Sequence, residues 1–212
     1  MTPSSTPTYL RRYTDLPALL HLLASKQITL LDPKTWDDKN DSYFMSVYKD
    51  RKAMKSVLAL CFSQAPETYH HWRVFSNGPA GVCIVFNRQA LLDDLLKDPL
   101  VSVSAMTYLT MTNARKMALR VDELPFIKRY GYKPEDEFRA LYTSAAKELP
   151  ALNILLRLSS IRSVSLSPWM NDALSRSVVN AIRAVDGCSK LRVSRSTLTS
   201  NEQWKGYANG AA

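Results

Sequence analysis

Apolar positions recur with two different periods along this chain of 212 residues. Leu16, Leu19, Leu20, Leu22 and Leu23 keep the three-to-four spacing of one helix face. Asp15 stands where a capping side chain would sit and Pro17 falls in the first turn, so the spacing predicts a helix there. Gln27–Leu31 reads as a short strand ended by Asp32 and Pro33. An acidic, polar loop follows, through Trp36, Asp37, Asp38, Asn40 and Asp41. Residues 57–63 and 81–86 are compact apolar runs and predict strands, the second entered through the turn formers Asn77, Gly78 and Pro79. Residues 90–96 read as a helix, 100–106 alternate like a strand, and a basic helix is expected over 113–121. Residues 152–158 read as an apolar helix and Ile161–Leu166 as a strand. Ser167-Pro168 is expected to open a helix to about Val185, packed across the outside, with Gly187 as its breaker and 191–196 as a last strand. There is no repeat and no low-complexity linker. The mixture, without a strict strand–helix–strand rhythm, predicts one α+β domain over 9–212 behind a Thr-, Ser- and Pro-rich tail of residues 1–8.

Composition narrows the class. A hydrophobic content of 46% with 22% charged residues is enough to bury a real core. No stretch of about 18 apolar residues exists to span a membrane, and the N-terminus lacks a signal peptide's apolar stretch. Cys61, Cys83 and Cys188 are odd in number and without Cys-x-x-Cys spacing, which reads as reduced packing residues of a cytoplasmic protein. His21, His70 and His71 have no cysteine pair at ligand spacing, and the acidic loop lacks a cation-site pattern, so no metal is expected. His70-His71 reads as an exposed pair, with proton transfer as the alternative.

The formal net charge of +9 is uneven. Residues 151–212 hold eight lysines and arginines against Asp172, Asp186 and Glu202, and so carry +5 of it. This bias suits an anionic macromolecule such as nucleic acid, although no recognised binding motif accompanies it.

The candidate chemistry lies at Glu135, Glu137 and Arg139. On a strand, expected here over 135–141, residues spaced by two share a face. Two carboxylates and a guanidinium are costly in a core and useful in a cleft. Crowding raises one carboxylate's pKa while the guanidinium holds its neighbour ionised. The arrangement can stabilise positive charge or take up a proton. The alternative is a solvated helical face with Glu135 and Arg139 paired one turn apart.

Several patches resemble, in order, a bacterial family classed as a domain of unknown function. Leu10-Arg11-Arg12-Tyr13-Thr14 before a leucine-rich helix is similar to that family's opening, and residues 31–41 to its acidic loop. Cys61-Phe62-Ser63, then Trp72-Arg73-Val74-Phe75, then residues 81–86 resemble its C-F-S … W-x-x-Y … G-x-x-I-x-F series. Residues 132–139 resemble its W-x-x-E-x-E-[WY]-R. The resemblance runs from about residue 9 to 142. Asp37-Asp38-Lys39 departs from the usual Asn-Asp-Pro, Phe75 from Tyr and Tyr132 from Trp.

The family's layout looks like the ADP-ribosyltransferase superfamily. That implies a split mixed or antiparallel sheet with flanking helices, and NAD+ as substrate. Arg12 would fill the first-strand position and hold the pyrophosphate, with Thr14 and Arg139 also in the binding set. Ser63 would support the nicotinamide ribose or its glutamate partner through its hydroxyl, and Tyr13 and Trp72 would sandwich the nicotinamide ring. Glu137 would bond the ribose 2′-hydroxyl and stabilise the oxocarbenium-like transition state. Glu135 would activate the acceptor as general base. A Glu137→Gln change would be expected to leave stability nearly untouched. Each residue also has a plainer reading: Arg12 beside Arg11 as a solvated pair, Ser63 as a strand end, Trp72 in an irregular segment as a core plug. Three functions remain open: an NAD+-consuming transferase or glycohydrolase acting as a toxin or phage-defence effector, a nucleic-acid-binding or -processing module, and a non-catalytic interaction domain.

Overall fold

The computed structural model of the protein describes residues 7–76 and 78–209; most of the expected tail, and Asn77, lie outside them. Strands are β1 (Tyr9–Asp15), β2 (Gln27–Leu31), β3 (Ser56–Ser63), β4 (Gly81–Asn87), β5 (Val101–Ala105), β6 (Thr107–Leu109), β7 (Ile127–Arg129), β8 (Glu137–Ser144), β9 (Ala151–Leu155), β10 (Ile161–Leu166) and β11 (Val193–Arg195). Helices are α1 (Leu16–Ser25), α2 (Lys39–Arg51), α3 (Tyr69–Phe75), α4 (Arg88–Leu95), α5 (Met111–Lys116), α6 (Asp172–Ala184) and α7 (Glu202–Asn209).

Strand β3 organises the main sheet. One edge pairs antiparallel with β8 along its whole length, from Ser56↔Ser144 to Ser63↔Glu137. The other edge is shared: β1 meets it at Arg11↔Ser63, and β2 meets it at Leu31↔Ala59. β1 continues into β4, β10 and β11, while β2 continues into β9. The two wings therefore part along the open edge between Ala59 and Ser63, and the sheet is split there. It is also mixed, since β10 and β11 run parallel while the other pairings of the main sheet are antiparallel. This is the split mixed sheet of an α+β fold. A small parallel ribbon of β6 and β7 stands apart from it and places Tyr108 opposite Lys128.

Between its terminal serines β3 is apolar because it is buried on both faces. Leu58, Leu60 and Phe62 enter the main core with Leu10, Ile84 and Phe138, whereas Val57 and Ala59 pack under α2 with Met45, Tyr48 and Leu141. Asp15 caps α1 by accepting from the Ala18 amide, as its spacing predicts.

Several expectations are corrected. The run 152–158 is strand β9 followed by a 3₁₀ turn at Leu158–Ser160, because its backbone pairs with β2 from Gln27↔Leu155 to Leu31↔Ala151. A short apolar run has no periodicity to separate helix from strand. The acidic loop ends in α2, whose cap is Asp38, accepting from the Asn40 and Asp41 amides. The segment around Trp72 is helix α3, capped by Thr68. The expected strand over 135–141 begins only at Glu137: Glu135 closes a 3₁₀ turn (Tyr130–Glu135), and Asp136 turns the chain with φ +43°. The outer helix starts at Asp172 behind the cap Asn171, beyond a turn at Ser167-Pro168. The basic helix, expected over 113–121, is α5 and ends at Lys116, whereas the alternating run 100–106 is strand β5 as its spacing predicts.

Candidate functional site

A cleft of about 560 Å³ opens where β1 and β2 part from β3. Arg11, Arg12 and Tyr13 line one side, Cys61 and Ser63 the floor, and Lys128, Glu135 and Glu137 the other side. Trp36, Phe75 and Tyr132 add aromatic surface. The volume is that of a small-molecule site.

The carboxylates belong to a buried network that sequence spacing half describes. Glu137 and Arg139 share a strand face, and Arg139 Nε donates to Glu137 Oε1 at 2.7 Å. The rest of the Arg139 guanidinium grips Asp41 of α2, with Nη1 on Oδ1 at 3.0 Å and Nη2 on Oδ2 at 2.6 Å, and Nη1 also donates to the Pro125 carbonyl. The Trp36 ring covers it at 4.7 Å. Lys128 Nζ donates to Glu135 Oε2 at 2.7 Å and Glu137 Oε2 at 3.1 Å, with Asp41 at 3.8 Å. The Tyr108 hydroxyl accepts from the Glu137 amide at 2.7 Å. Three carboxylates thus share two cations, all nearly out of solvent.

The electrostatics separate the two glutamates. Burial opposes the Glu137 charge, but Arg139 and Lys128 outweigh it and bring its pKa down to about 2. Burial wins at Glu135, whose pKa is raised although Lys128 pulls the other way. Burial raises Asp41 as well, against the pull of Arg139. Burial also opposes the Lys128 charge, yet Glu137 and Glu135 leave its pKa raised. Neighbouring carboxyls with pKa values pushed apart are suited to different tasks.

Ser63 sits in register between Arg11 and Glu137 on three adjacent strands. Its Oγ donates to the Glu135 carbonyl at 2.7 Å and accepts from the Ala65 amide. His71 Nε2 lies 3.0 Å from the same Oγ, a spacing that resembles a nucleophile and its base. The hydrogen-bond directions give the pair another role. With its one proton on the Glu135 carbonyl, Ser63 can only accept from Nε2–H, and Thr68 Oγ1 then donates to His71 Nδ1. Burial lowers the His71 pKa despite the Glu135 carbonyl nearby, which favours this neutral form. Ser63 and His71 therefore fasten the turn that carries Glu135.

Arg12 is half-buried, lines the cleft and has no hydrogen bond or ion pair among the described residues, whereas Arg11 donates to the Ala65 carbonyl at 2.8 Å. Burial lowers the Arg12 pKa, yet a guanidinium stays charged at neutral pH. An unpaired cation on a cleft wall is a ready anion contact.

Of the residues singled out in the sequence, Arg12, Tyr13, Ser63, Glu135 and Glu137 meet in this cleft. Three do not line it. Trp72 is fully buried, its Nε1 donating to Glu67 at 2.6 Å and its ring edge-on to Tyr13 at 5.3 Å, so it is a core plug rather than half of a ring sandwich. Arg139 is fully buried and reaches the cleft only through the residues it holds, Glu137, Asp41 and Trp36. Thr14 pairs with Val82 farther along β1. His71 is buried, not half of an exposed pair. Nothing in the sequence pointed to Lys128, Tyr108 or the register of Arg11, and it placed Asp41 only in an acidic loop and His71 only in an exposed pair or a proton-transfer role. Only Asp41 carried a local signal, three residues after the cap Asp38.

A split-sheet α+β fold with a charged cleft at the split is the class these observations define. No family model matches the chain, so its ordered motifs remain a resemblance. No curated protein matches it. Among solved structures, it is similar to Thermus sp. 2.9 DarT in complex with ADP-ribosylated ssDNA, at 10% identity and TM-score 0.47 over 91% of this chain and 95% of that one. It is likewise similar to DarT in complex with NAD+, at 11% identity and TM-score 0.46 over 92% and 98% of the two chains.

Proposed function

We propose that the cleft binds NAD+ and breaks the bond between its nicotinamide and ribose, passing ADP-ribose to an acceptor or to water. The observation that carries this reading is the Glu137 carboxylate, nearly buried in the cleft wall yet held ionised, with the unpaired guanidinium of Arg12 lining the same cleft. NAD+ offers the matching pair of charges, an anionic pyrophosphate and a cationic nicotinamide ring. Arg12 holds the pyrophosphate. Two of the Glu137 lone-pair positions are taken by Arg139 and Lys128, and those remaining accept from a ribose hydroxyl. As the glycosidic electron pair leaves with nicotinamide, the fixed negative charge stabilises the cation growing on the ribose. Glu135 Oε1, without a partner among the described residues, takes the proton of the incoming nucleophile. Ser63 acts by fastening the Glu135 turn. The deciding experiment incubates purified protein with millimolar NAD+ and follows free nicotinamide by chromatography; no release above the buffer rate sinks the reading.

The acceptor we propose is an anionic macromolecule, supported by Arg162, Arg176, Arg183, Lys190 and Arg192, which are exposed and without carboxylate partners among the described residues. The same residues favour the second reading, a nucleic-acid-binding module, whose mark is retention on DNA or RNA that weakens steeply with salt. A toxin or phage-defence effector working in the cytoplasm fits an NAD+-consuming activity. Induced expression in bacteria should then arrest growth with the wild-type chain and not with Glu137→Gln. No described helix is long and apolar enough to cross a membrane.

A further inference from the structure

The two carboxylates in the cleft wall do not share their cations equally. Glu137 bonds both Arg139 and Lys128, one through each oxygen. Among the described residues the Glu135 carboxylate has Lys128 alone, at 2.7 Å from Oε2. Its backbone is fixed independently, through the Ser63 hydroxyl and the His71 ring on its carbonyl. The titratable groups facing it are Lys128 from β7, Glu137 from β8, His70 from α3, Asp41 of α2 across the same ammonium, Tyr108 of β6 and Tyr132 of its own turn. Among these, Lys128 is the one permanent cation. It is placed from outside the main sheet, on the small β6–β7 ribbon opposite Tyr108, with the Tyr132 ring 4.8 Å away.

We propose that Lys128 is a positioning residue that holds the Glu135 carboxylate beside Glu137 in its ionised form, and so decides whether Glu135 can take a proton from an incoming nucleophile. The assignment of that proton to a nucleophile rests on the proposed function; the electrostatic coupling does not. Without the ammonium, Glu135 is left buried beside an anion with no permanent cation to offset either cost, and it takes up its proton at a higher pH than in the wild-type chain. Glu137 keeps Arg139 and stays ionised. The opposite displacements of the two glutamates agree with this asymmetry.

The test titrates the glutamate side-chain carboxyls by carbon NMR in the wild-type chain, Lys128→Met and Lys128→Arg, with Glu135→Gln and Glu137→Gln supplying the assignments. The Glu135 midpoint should rise by more than about one pH unit in Lys128→Met, the size of one lost charge contact. It should return most of the way in Lys128→Arg, while Glu137 stays ionised above pH 5 in the wild-type chain and both Lys128 variants. Lys128→Gln gives the same reading if the methionine variant does not keep its circular-dichroism spectrum. With NAD+ and methanol as a small nucleophile, formation of methyl ADP-ribose by Lys128→Met should need a higher pH, tracking the Glu135 midpoint. An unmoved Glu135 midpoint overturns the proposal, and so does an equal rise of both glutamates. Absence of nicotinamide release from the wild-type chain would instead defeat the proposed function, while the titration still decides the role of Lys128.

Discussion

Arg139 grips Asp41 through two parallel hydrogen bonds, at 3.0 and 2.6 Å, across 98 residues of sequence. The fork fixes the plane of the guanidinium and leaves its Nε aimed at Glu137. A carboxylate at the start of α2 thus aims a carboxylate at the start of β8. Removing it leaves a fully buried guanidinium with Glu137 as its one remaining carboxylate partner among the described residues. Asp41→Ala is expected to cost about 3–5 kcal/mol, the range for breaking a buried pair from one side. Urea unfolding measures it, and a loss below about 1 kcal/mol would show that the network contributes little to the fold.

Glu137→Gln should lower nicotinamide release by roughly a hundredfold or more, the effect of losing a preorganised charge at the reacting centre. The structure reverses the expectation that stability is spared. Glu137 is 4% exposed and partners both Arg139 and Lys128, so its neutralisation leaves two buried cations short of a counter-charge. The variant should melt at a lower temperature than the wild-type chain, and activity is compared below both transitions. Full activity would remove the mechanism.

Acid unfolding should carry the mark of Glu137. Its pKa in the fold is about 2 against an ordinary 4.5, so its stabilisation is present above the ordinary value and lost as pH falls towards 2. A displacement of this size corresponds to on the order of 3 kcal/mol. Asp41 and Glu135 act in the opposite sense: raised in the fold, they bind protons more tightly there and offset part of the loss as pH falls. Between about pH 4.5 and 2, the wild-type chain should lose stability more steeply than Glu137→Gln. Parallel acid limbs in denaturant titrations at stepped pH would contradict the assignment.

Ser63 should behave as a fastener. A fluorophosphonate probe should leave its mass unchanged, because the hydroxyl proton is committed to the Glu135 carbonyl. Ser63→Ala should cost about 1–3 kcal/mol in stability from the groups left unsatisfied. Stoichiometric labelling at Ser63 on intact-mass analysis would restore the nucleophile reading.

Arg12→Ala is expected to raise the KM for NAD+ by about tenfold or more with a smaller effect on kcat, the pattern of a contact made equally in ground and transition states. Arg12→Lys should recover part of it, since the charge returns without the planar fork. Initial rates of nicotinamide release against NAD+ concentration separate the two parameters, and an unchanged KM would take Arg12 out of the binding site.

Local patterning determined α1, β2, β3, β4 and β10 and the face shared by Glu137 and Arg139, because each rests on a repeat of a few residues that burial enforces. The same local reading failed at β9, whose apolar run becomes a strand only by pairing with β2, and at α2, whose polar sequence shows no clear apolar stripe to mark a helix. The sequence named Arg12, Tyr13, Ser63, Glu135 and Glu137, but the tertiary structure decided how the site's charges are paired. Glu135 is not on the strand at all; Asp136 turns the chain between the two glutamates, and Lys128 brings their carboxylates back together. The choice of Lys128, Asp41 and His71 as their partners depends on contacts across 64 to 98 residues, or on a ribbon outside the main sheet. No short period encodes such contacts. They exist because buried charge must find a counter-charge wherever the fold delivers one.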